Sequence, residues 1–390
     1  MRISYFNYHY DVEGIGIGAA TQVRDIAAAL TRRGHQVDLQ FRVPKQPGEN
    51  KQYLGLKKIG WARRYGHIPR ILLRNFAFLS RELHLLDEFR PDVLLTVCSY
   101  INFSALLAAR MRRVPMVLFI EAPLEYEYQL LFSQYHRYPR LGRWLEGLNV
   151  RGARQVISIS DILKGYLMRY GAPAQKIHVV PNGVDHLAFT PLQPDQELQS
   201  QWGLQNRLVI GYIGNFEFLG DLQRFFLSAQ RLCAAYNQVI FFMVGEGRNK
   251  ERVRQGAADF GLGERFLFPG GVPHNQVPRY LSLMDIVISP YREDYLFYNS
   301  SMKLLEYMAT GKAVLAPALG QIKELVVDGY NGMLYEPGAP DAFERKLQEL
   351  LGSGTLPEMG INARKTIERN WTWDLQASRI GRVLEMAFQP

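Results

Sequence analysis

The chain has 390 residues, of which 47% are hydrophobic and 21% charged; this composition excludes disordered and collagen-like proteins and indicates a globular one. Because one hydrophobic core rarely serves a chain of this length, we expect two domains. No run of about 18 apolar residues and no signal-peptide pattern is present, which argues against a membrane-spanning or secreted protein. The two cysteines, Cys98 and Cys233, stand in separate apolar patterns and indicate reduced thiols in the cytoplasm.

The net charge of +9 is confined to the first half of the chain. Residues 1–190 hold 26 basic and 15 acidic side chains, whereas the remaining 200 residues hold 20 and 22. The excess is densest over residues 50–81, where eight basic residues and no acid are interleaved with aromatic and aliphatic ones. Contact with an anionic membrane surface and a merely solvated amphipathic helix both stay open as interpretations. Nucleic acid is not an expected partner, because no nucleic-acid-binding module accompanies the charge.

Short β-branched runs alternate with helical patterns along the whole chain, and this alternation predicts βαβ units with parallel sheets. Six strands are predicted in the first half, at Arg2–Asn7, Gln36–Phe41, Val93–Val97, Met116–Ile120, Gln155–Ser158 and Ile177–Val180. Six more are predicted in the second half, at Leu208–Ile213, Val239–Val244, Arg265–Phe268, Ile286–Ser289, Ala313–Ala316 and Gly332–Leu334. The fold class is therefore α/β, with two tandem Rossmann-like, doubly wound domains that face a central cleft, where such folds bind ligands.

A stretch rich in Pro, Asn, Gly and Gln separates the two series of strands and predicts a linker. We place the N-terminal domain at residues 1–185, the linker at 186–206 and the C-terminal domain at 207–372. The last helix, at about 373–390, lies too far downstream to belong obviously to the second sheet. We expect it to pack back on the first domain.

A glycine loop, DVEGIGIGAATQ, follows the first strand and precedes a helix. Gly14, Gly16 and Gly18 would let the backbone approach an anion at the helix N-terminus. A dinucleotide-binding fingerprint needs a third glycine where Thr21 stands and an acid about 20 residues further on, for which Asp38 is the only candidate. The match is poor and argues against an NAD-dependent oxidoreductase. A phosphate-approaching loop and a flexible loop without ligand both remain.

Glu121 directly follows the fourth predicted strand, at the edge where parallel sheets carry their functional residues. It is a candidate functional carboxylate, with a local hydrogen bond in the loop as the alternative. Glu125 and Glu127 predict the solvated first turn of a helix, where acids are favourable. No metal site is expected, since metal-ligand spacing is missing among the histidines of the first half, His9, His35, His67 and His136.

The stretch YNSSMKLLEYMATGKAVLA reads as a short helix that feeds an apolar strand. Lys303 lies in its first turn, where the helix dipole favours anions by about 0.3–1 kcal/mol. Glu306 is set among apolar residues, where a carboxylate loses solvation unless it is hydrogen-bonded. A bound ligand with a phosphate and hydroxyl groups would explain both positions. The alternative is a Lys303–Glu306 surface pair, worth about 0.2–0.5 kcal/mol.

Glycine-containing loops also follow predicted strands in IGYIGNFEFLGDL, IFFMVGEGRN and FLFPGGVPHNQVPRYL. The motifs that carry a family resemblance are the glycine loop at Gly14–Gly18, ISISDIL, KIHVVPNGVD, VGEG, FPGGVPHNQVPRYL, KLLEYMATGKAVLA and ELVVDGYNGMLYEPG. By these motifs the chain resembles the retaining nucleotide-sugar glycosyltransferases of family 4, which have the GT-B fold. The resemblance runs almost end to end. It implies that the C-terminal domain binds a nucleotide-diphosphate sugar and the N-terminal domain an acceptor. It also implies transfer with retention of configuration and usually without a metal, so no cofactor is expected.

The resemblance implies roles for single residues. Glu306 would accept hydrogen bonds from the nucleotide ribose, and the backbone of Gly271–Val272 would read the base. Ser300 and Ser301 would contact the diphosphate, with the loop around Gly18 approaching from the other domain. The full set of donor-binding candidates is Gly16, Gly18, Gly214, Asn215, Gly245, Gly247, Arg248, Gly271, Val272, Tyr298, Ser300, Ser301, Leu304 and Glu306.

Several positions depart from the family pattern. Tyr298 stands where a glutamate usually contacts the donor sugar, and Glu121 where a histidine is common. Asn215 and Leu219 stand in place of an Arg and a Lys that neutralise the leaving diphosphate. A leaving diphosphate still needs positive charge in a dry site.

Lys303 is the nearest replacement cation, and with Glu121 it forms the predicted catalytic pair. Arg248 and Arg292 are further candidates for the diphosphate. We expect a hexosyltransferase of glycan, polysaccharide or glycolipid assembly, acting on a glycan or lipid-linked acceptor in the cytoplasm or at the inner face of the membrane. A non-catalytic binding partner of GT-B fold and a nucleotide-sugar epimerase or hydrolase are the alternatives.

Overall fold

The structure is a computed structural model that describes residues 1–7, 18–41, 67–97, 102–131, 139–216, 220–291 and 296–389. Several features singled out in the sequence lie outside these residues, namely Gly14, Gly16, Cys98, Leu219, Arg292 and residues 50–66 of the basic segment. The chain divides into two compact units, Met1–Asn182 together with Trp373–Pro390, and Gly183–Thr372.

Each unit contains a parallel sheet of six strands among the described residues. The first sheet has the order β2-β1-β3-β4-β5-β6, with β1 Arg2–Asn7, β2 Gln36–Phe41, β3 Val93–Val97, β4 Met116–Ile120, β5 Gln155–Ser158 and β6 Ile177–Val179. The second has the order β12-β11-β10-β7-β8-β9, with β7 Leu208–Ile213, β8 Val239–Val244, β9 Phe266–Gly270, β10 Ile286–Ile288, β11 Ala313–Pro317 and β12 Met333–Tyr335. The predicted α/β class is confirmed, with strand ends shifted by one or two residues.

Helices cover the sheets, because near-continuous apolar strands such as β3 and β4 must be buried on both faces. In the first part of the chain they are α1 Gly18–Arg32, α2 His67–Phe89, α3 Ser104–Arg112, α4 Leu124–Leu131, α5 Pro139–Gly152 and α6 Asp161–Met168. They continue as α7 Gln196–Gln201, α8 Leu222–Ala235, α9 Lys250–Asp259, α10 Val277–Ser282, α11 Met302–Ala309, α12 Ile322–Leu325, α13 Ala342–Gly352, α14 Leu356–Asn370 and α15 Trp373–Phe388. No helix among the described residues is long and apolar enough to cross a bilayer.

The residues predicted as a linker, 186–206, belong to the second unit. Phe189, Leu198 and Leu204 from this stretch are buried in the core of that unit. Arg364 on α14 also donates a hydrogen bond of 2.7 Å to the Phe189 carbonyl group. The stretch is therefore packed structure, since its few apolar side chains find a place in the core despite their polar neighbours in the sequence.

The final helix, α15, packs against α1 and β5 of the first unit. Ile380 and Leu384 on its apolar face are buried. At the other end of the interface Arg32 of α1 pairs with Asp374, with 2.8 Å between Nη2 and Oδ1. The helix thus completes the apolar core of a unit whose strands all come from the other end of the chain.

The second sheet has a topological switch point between β7 and β10, which are neighbours although they are distant in the sequence. At such a point the chain leaves adjacent strands toward opposite faces, and a crevice opens at their carboxyl ends. The loop that begins at Gly214 and the segment from Ser289 to Tyr291 flank this crevice. This edge of the second unit is where its topology favours a ligand.

Candidate functional site

The loops that follow β7, β8 and β9 are joined by backbone hydrogen bonds into one platform at the carboxyl end of the second sheet. The Gly214 N–H donates to the Val244 carbonyl group at 3.0 Å, and the Gly245 N–H donates to the Gly270 carbonyl group at 2.8 Å. Three glycine loops that the sequence predicted separately therefore form a single surface.

Two glycines of this platform are required by close packing. A Cβ added to Gly245 would collide with the Gly214 carbonyl oxygen, and a Cβ added to Gly247 would collide with Asn215 Oδ1. The structure thus brings four of the predicted donor-binding residues together. Any larger residue at 245 or 247 would push the β7 and β8 loops apart.

Lys303 reaches this platform from the first turn of α11. Its ammonium group donates to Tyr212 Oη at 3.1 Å and lies 4.9 Å and 4.7 Å from the ring centroids of Tyr212 and Tyr291. A Cβ placed on Gly214 would be 3.2 Å from Lys303 Nζ, so the cation lies against the loop after β7. Burial lowers the pKa of Lys303, but interactions with the two tyrosines outweigh it and raise the pKa, so the side chain stays charged.

Helix α11 is fixed against the sheet by two hydroxyl groups. Ser301 caps the helix by accepting from the Leu304 N–H at 3.5 Å, and its Oγ lies 2.6 Å from Tyr291 Oη. Tyr307 Oη donates to the Ile213 carbonyl group at 2.6 Å and accepts from the Ile213 N–H at 2.8 Å. The position of Lys303 therefore follows from contacts that hold its whole helix at the end of β7.

Glu306 lies one turn beyond Lys303, and its Oε1 is 2.7 Å from His274 Nε2. The glutamate side chain is 13% exposed and the histidine side chain 36%, so a polar ligand could still reach both. The His274 ring packs on Phe189, with centroids 5.1 Å apart. The described contacts pair Lys303 with Tyr212 and Glu306 with His274, which removes the alternative of a Lys303–Glu306 surface pair.

Sequence reasoning missed His274. The motif FLFPGGVPHNQVPRYL drew attention only to its glycines, and 32 residues separate His274 from Glu306. The available signal was a histidine a few residues past a strand end, in the loop already predicted to face the ligand. Only the folded chain shows that it meets the carboxylate.

The loop predicted to read the base carries a side-chain contact that the sequence did not reveal. The Gly271 N–H donates to Glu246 Oε1 at 3.2 Å, and Lys250 Nζ lies 2.6 Å from the same oxygen. The hydrogen bond from Lys250 holds the pKa of Glu246 below its usual value. A base that approached Gly271 would therefore meet a carboxylate beside the backbone amide.

Some predicted donor-binding residues occupy positions that limit their roles. The Leu304 side chain is fully buried in the core, so it cannot contact a ligand. Tyr298 and Ser300 are also buried, just before α11. Arg248 and Asn215 are exposed on the platform loops. The structure describes Val272 as half-buried next to Gly271.

In the first unit, Glu121 follows β4 and is half-buried. Burial raises the pKa of Tyr5 on β1, and the nearby charge of Glu121 raises it further. Gly18 begins α1, and in that helix Gln22 Nε2 donates to Asn182 Oδ1 at 2.7 Å. Glu121 directly follows the carboxyl end of β4, and Asn182 lies just beyond β6.

The prediction for Glu125 differs from the structure. Its side chain is only 5% exposed, with Arg143 Nη2 at 3.4 Å from Oε1, whereas the sequence indicated a solvated helix start. The reason is that α5 and α6 pack over the first turn of α4. Among the described residues no group of three or more His, Cys, Asp and Glu could hold a metal ion.

Two family models match the chain: Glycosyltransferase Family 4 over residues 17–186 and Glycosyl transferases group 1 over residues 207–353. Together they account for most of both units. The chain belongs to the family 4 glycosyltransferases.

Relatives of this family 4 protein are distant. An uncharacterized glycosyltransferase of Methanocaldococcus jannaschii is 23% identical over 235 residues, which are 60% of this chain and 58% of that protein. The GDP-mannose-dependent alpha-(1-6)-phosphatidylinositol monomannoside mannosyltransferase of Mycolicibacterium smegmatis is 24% identical over 218 residues, 54% of this chain and 57% of that protein. The matches span a little over half the length of these relatives.

Solved structures match over nearly the whole chain. Sucrose-phosphate synthase from Thermosynechococcus elongatus has a TM-score of 0.75 at 19% identity, and the match covers 99% of each chain. Anabaena Alr3699/HepE in complex with UDP-glucose has a TM-score of 0.72 at 19% identity, again with 99% of each chain covered. The likeness shows the fold, and the predicted GT-B fold is confirmed.

Chemically, the second unit of this family 4 protein offers three things at one edge. It has a platform of backbone groups, a charged ammonium at Lys303 and a partly accessible carboxylate at Glu306. A diphosphate matches the ammonium, and vicinal hydroxyl groups match the carboxylate. Neutral or cationic ligands would gain nothing from Lys303.

Proposed function

We propose that the protein is a retaining glycosyltransferase that moves a sugar from a nucleotide-diphosphate sugar to an acceptor hydroxyl group without a metal. The observation that carries the proposal is the placement of Lys303, whose ammonium lies against Gly214 at the switch point of the second sheet. It supplies positive charge at a loop where Asn215 replaces the cation that the family resemblance implies. The match to two glycosyltransferase families supports the reaction class.

In the proposed reaction the bond between the sugar C1 and the β-phosphate oxygen breaks, and a bond from C1 to the acceptor oxygen forms on the same face. The acceptor proton passes to the departing diphosphate. Lys303 stabilises the negative charge that develops there. Glu306, held by His274, accepts hydrogen bonds from the ribose hydroxyl groups. Glu121 orients the acceptor or the transferred sugar.

The tyrosines around Lys303 suit this role. Tyr212 and Tyr291 present ring faces and a hydroxyl group to the ammonium, so it is held without a carboxylate partner. A carboxylate would compete with the diphosphate for the cation, whereas neutral tyrosines do not. The ammonium is thus held in place and remains available for an anion.

The donor and the acceptor can be narrowed by chemistry. A neighbour in the same fold is solved with UDP-glucose, and a relative is named as GDP-mannose-dependent, which supports a nucleotide-sugar donor with uracil or guanine. The named substrate of that relative, a phosphatidylinositol monomannoside, supports a lipid-linked acceptor. On α2, Leu73 and Phe76 in the basic segment are 66% and 61% exposed, which supports contact with an anionic membrane surface on the cytoplasmic side.

Donor binding is tested by thermal shift of wild type, Glu306→Gln and the exposed control Glu264→Gln with UDP-, GDP- and ADP-sugars. We expect one base to raise the melting temperature of wild type and of the control. In Glu306→Gln the shift should shrink, because a hydrogen bond to a charged group contributes about 1.5–3 kcal/mol. A full shift in Glu306→Gln would remove the ribose assignment.

The reaction is tested by incubating wild type with the donor that binds and following the anomeric signal of the product by NMR. We expect the donor configuration in the product when a polyprenyl- or glycerolipid-linked acceptor is present. An inverted product contradicts retention, and release of free sugar alone identifies a hydrolase. No shift with any nucleotide sugar would favour the non-catalytic binding protein.

A further inference from the structure

Glu146 on α5 is a buried carboxyl group to which the proposed chemistry gives no task. It is 2% exposed and lies across from the first turn of α4. Its Oε1 accepts from the Leu124 N–H at 3.3 Å, and its Oε2 accepts from the Glu125 N–H at 3.2 Å. A side chain from one helix thus satisfies backbone donors at the start of another.

Helix α4 needs this external cap because Pro123 precedes it. Most helices begin with a side-chain oxygen that accepts from the first free N–H groups, and proline has none. Pro123 contributes its carbonyl group to the turn, which accepts from the Glu127 N–H at 3.0 Å. Only Ala122 and Pro123 separate Glu121 from α4, so whatever fixes the first turn of α4 also fixes the path of Glu121.

The same carboxylate is tied to the turn that follows α6. Tyr170 Oη donates to Glu146 Oε2 at 2.8 Å, and it lies 3.0 Å from Tyr166 Oη. Tyr166 Oη in turn lies 3.5 Å from Glu125 Oε2. The contacts form a closed circuit through α4, α5, α6 and the residues that follow α6.

The circuit is sensitive to protonation. Burial raises the pKa of Glu146 from 4.5 to about 7, against the opposing effect of the Tyr170 hydroxyl group and the two N–H groups. The charged and titratable groups around it are Glu125 on α4, which raises the pKa further, Tyr166 and Tyr170 on the side of α6, and Arg143 on α5, which pairs with Glu125. A protonated carboxyl group has one good acceptor oxygen, so one of the two N–H groups would lose its partner.

We propose that Glu146 is a positioning residue for Glu121: its carboxylate caps α4 from the side and thereby holds residues 121–123 in place for acceptor transfer. The inference rests on the proposed function, because it takes Glu121 as the carboxylate that faces the substrate. Transfer should then require charged Glu146, while donor binding in the second unit should not.

The test compares wild type with Glu146→Gln and with the matched control Glu82→Gln. Glutamine keeps the size of Glu146 but offers one acceptor oxygen in place of two. Glu82 on α2 is also buried, and burial raises its pKa to about 7 as well. Its Oε1 accepts from Ser104 Oγ on α3 at 3.0 Å, away from residues 121–125.

The first measurement is hydrogen exchange at the Leu124 and Glu125 amides, which needs no turnover. We expect exchange about tenfold faster in Glu146→Gln than in wild type, since loss of a hydrogen bond to a charged group costs about 1.5 kcal/mol or more. Exchange should not change in Glu82→Gln. Equal rates in wild type and Glu146→Gln, or equal acceleration in both variants, would overturn the inference.

The second measurement is transfer to the acceptor between about pH 6 and 9, at saturating donor. In wild type kcat should rise with pH, with a midpoint near pH 7, the pKa of Glu146. This rise is the limb of the pH profile that the variants test. In Glu146→Gln the limb should vanish and kcat should fall roughly 10- to 100-fold, as for a displaced catalytic group, with the donor-induced melting shift unchanged. A limb that persists in Glu146→Gln, or that also disappears in Glu82→Gln, contradicts the inference. If wild type transfers to no acceptor, the proposed function fails, and hydrogen exchange alone decides the role of Glu146.

Discussion

In the second unit a half-buried cation, Lys303, keeps its charge, whereas in the first unit two buried carboxyl groups, Glu82 and Glu146, titrate near neutral pH. The difference lies in the partners. Lys303 has a hydroxyl group and two ring faces, while Glu82 has one hydroxyl partner and an Oε2 atom with no hydrogen bond. Burial alone therefore does not decide the charge of a group. The Lys303 site is therefore prepared for an anion, whereas the protonation of Glu82 and Glu146 changes near neutral pH.

The largest expected effect is that of Lys303→Met, which removes the cation from the second unit. Removing one preorganised donor from a site of developing negative charge costs about 100- to 1,000-fold in kcat. We expect a loss of this size with little change in melting temperature, because methionine keeps the apolar stem between Tyr212 and Tyr291. The matched control is Lys365→Met on the exposed face of α14. Similar kcat values for the two variants would rule out Lys303 as the diphosphate cation.

The raised pKa of the buried carboxyl group of Glu82 is tested by measuring the stability of Glu82→Gln as a function of pH. The folded-state pKa of about 7 exceeds the ordinary value of 4.5, so this group stabilises the fold below about pH 4.5 and that contribution is lost as pH rises through 7. Between pH 5 and 8 wild type should lose up to about 3 kcal/mol more than Glu82→Gln in urea unfolding. Glu88→Gln, an exposed change on the same helix, is the control. A parallel pH profile for Glu82→Gln and wild type would contradict the assignment.

The platform beneath the cation is tested by Gly245→Ala. The added Cβ would collide with the Gly214 carbonyl oxygen, and overpacking of this kind costs about 1–3 kcal/mol. We expect this loss in urea unfolding, together with weaker binding of the nucleoside diphosphate. Gly261→Ala separates backbone strain from collision, because Gly261 has a φ of +69° and open space around it. Equal effects of the two changes would mean that the close approach of the loops is not required.

The smallest expected effect is that of His274→Ala. Glu306 would lose a partner at 2.7 Å, and we expect about tenfold weaker donor binding, since one hydrogen bond to a charged group contributes about 1.5 kcal/mol. Asn275→Ala, at the exposed neighbouring position, should leave donor affinity unchanged. Isothermal titration with the donor would measure both. An unchanged affinity in His274→Ala would show that Glu306 does not depend on the histidine.

The sheets could be predicted from the sequence because their signal is local. Strands such as β3 and β4 are continuous apolar runs, and each stands between polar turns or helical patterns. The loop glycines at 214, 245 and 247 were predicted for the same reason, since they follow strand ends directly. Lys303 was singled out because its charge is unusual in a first helical turn. It was identified as a replacement cation because Asn215 and Leu219 stand where the family resemblance implies an Arg and a Lys.

The remaining parts of the site depend on contacts between distant residues. His274 meets Glu306 across 32 residues, and Glu146 meets Leu124 across 22. The sequence pattern around these residues does not predict the pairs, because each partner is a single polar residue in an amphipathic pattern. Burial of Glu125 was missed for the same reason. The sequence indicates that acids are favourable at a helix start, but it does not show which other helices pack over that start.

The position of α15 has a consequence for synthesis of the protein. The second unit, Gly183–Thr372, is inserted between the parts of the first, and its two ends are joined where the Val184 N–H donates to the Trp371 carbonyl group at 2.9 Å. In the order of synthesis the whole inserted unit precedes α15. The apolar surface of the first unit that Ile380 and Leu384 cover therefore stays without this helix until the second unit has been synthesised. The unit whose synthesis begins first is therefore the one whose apolar core is completed last.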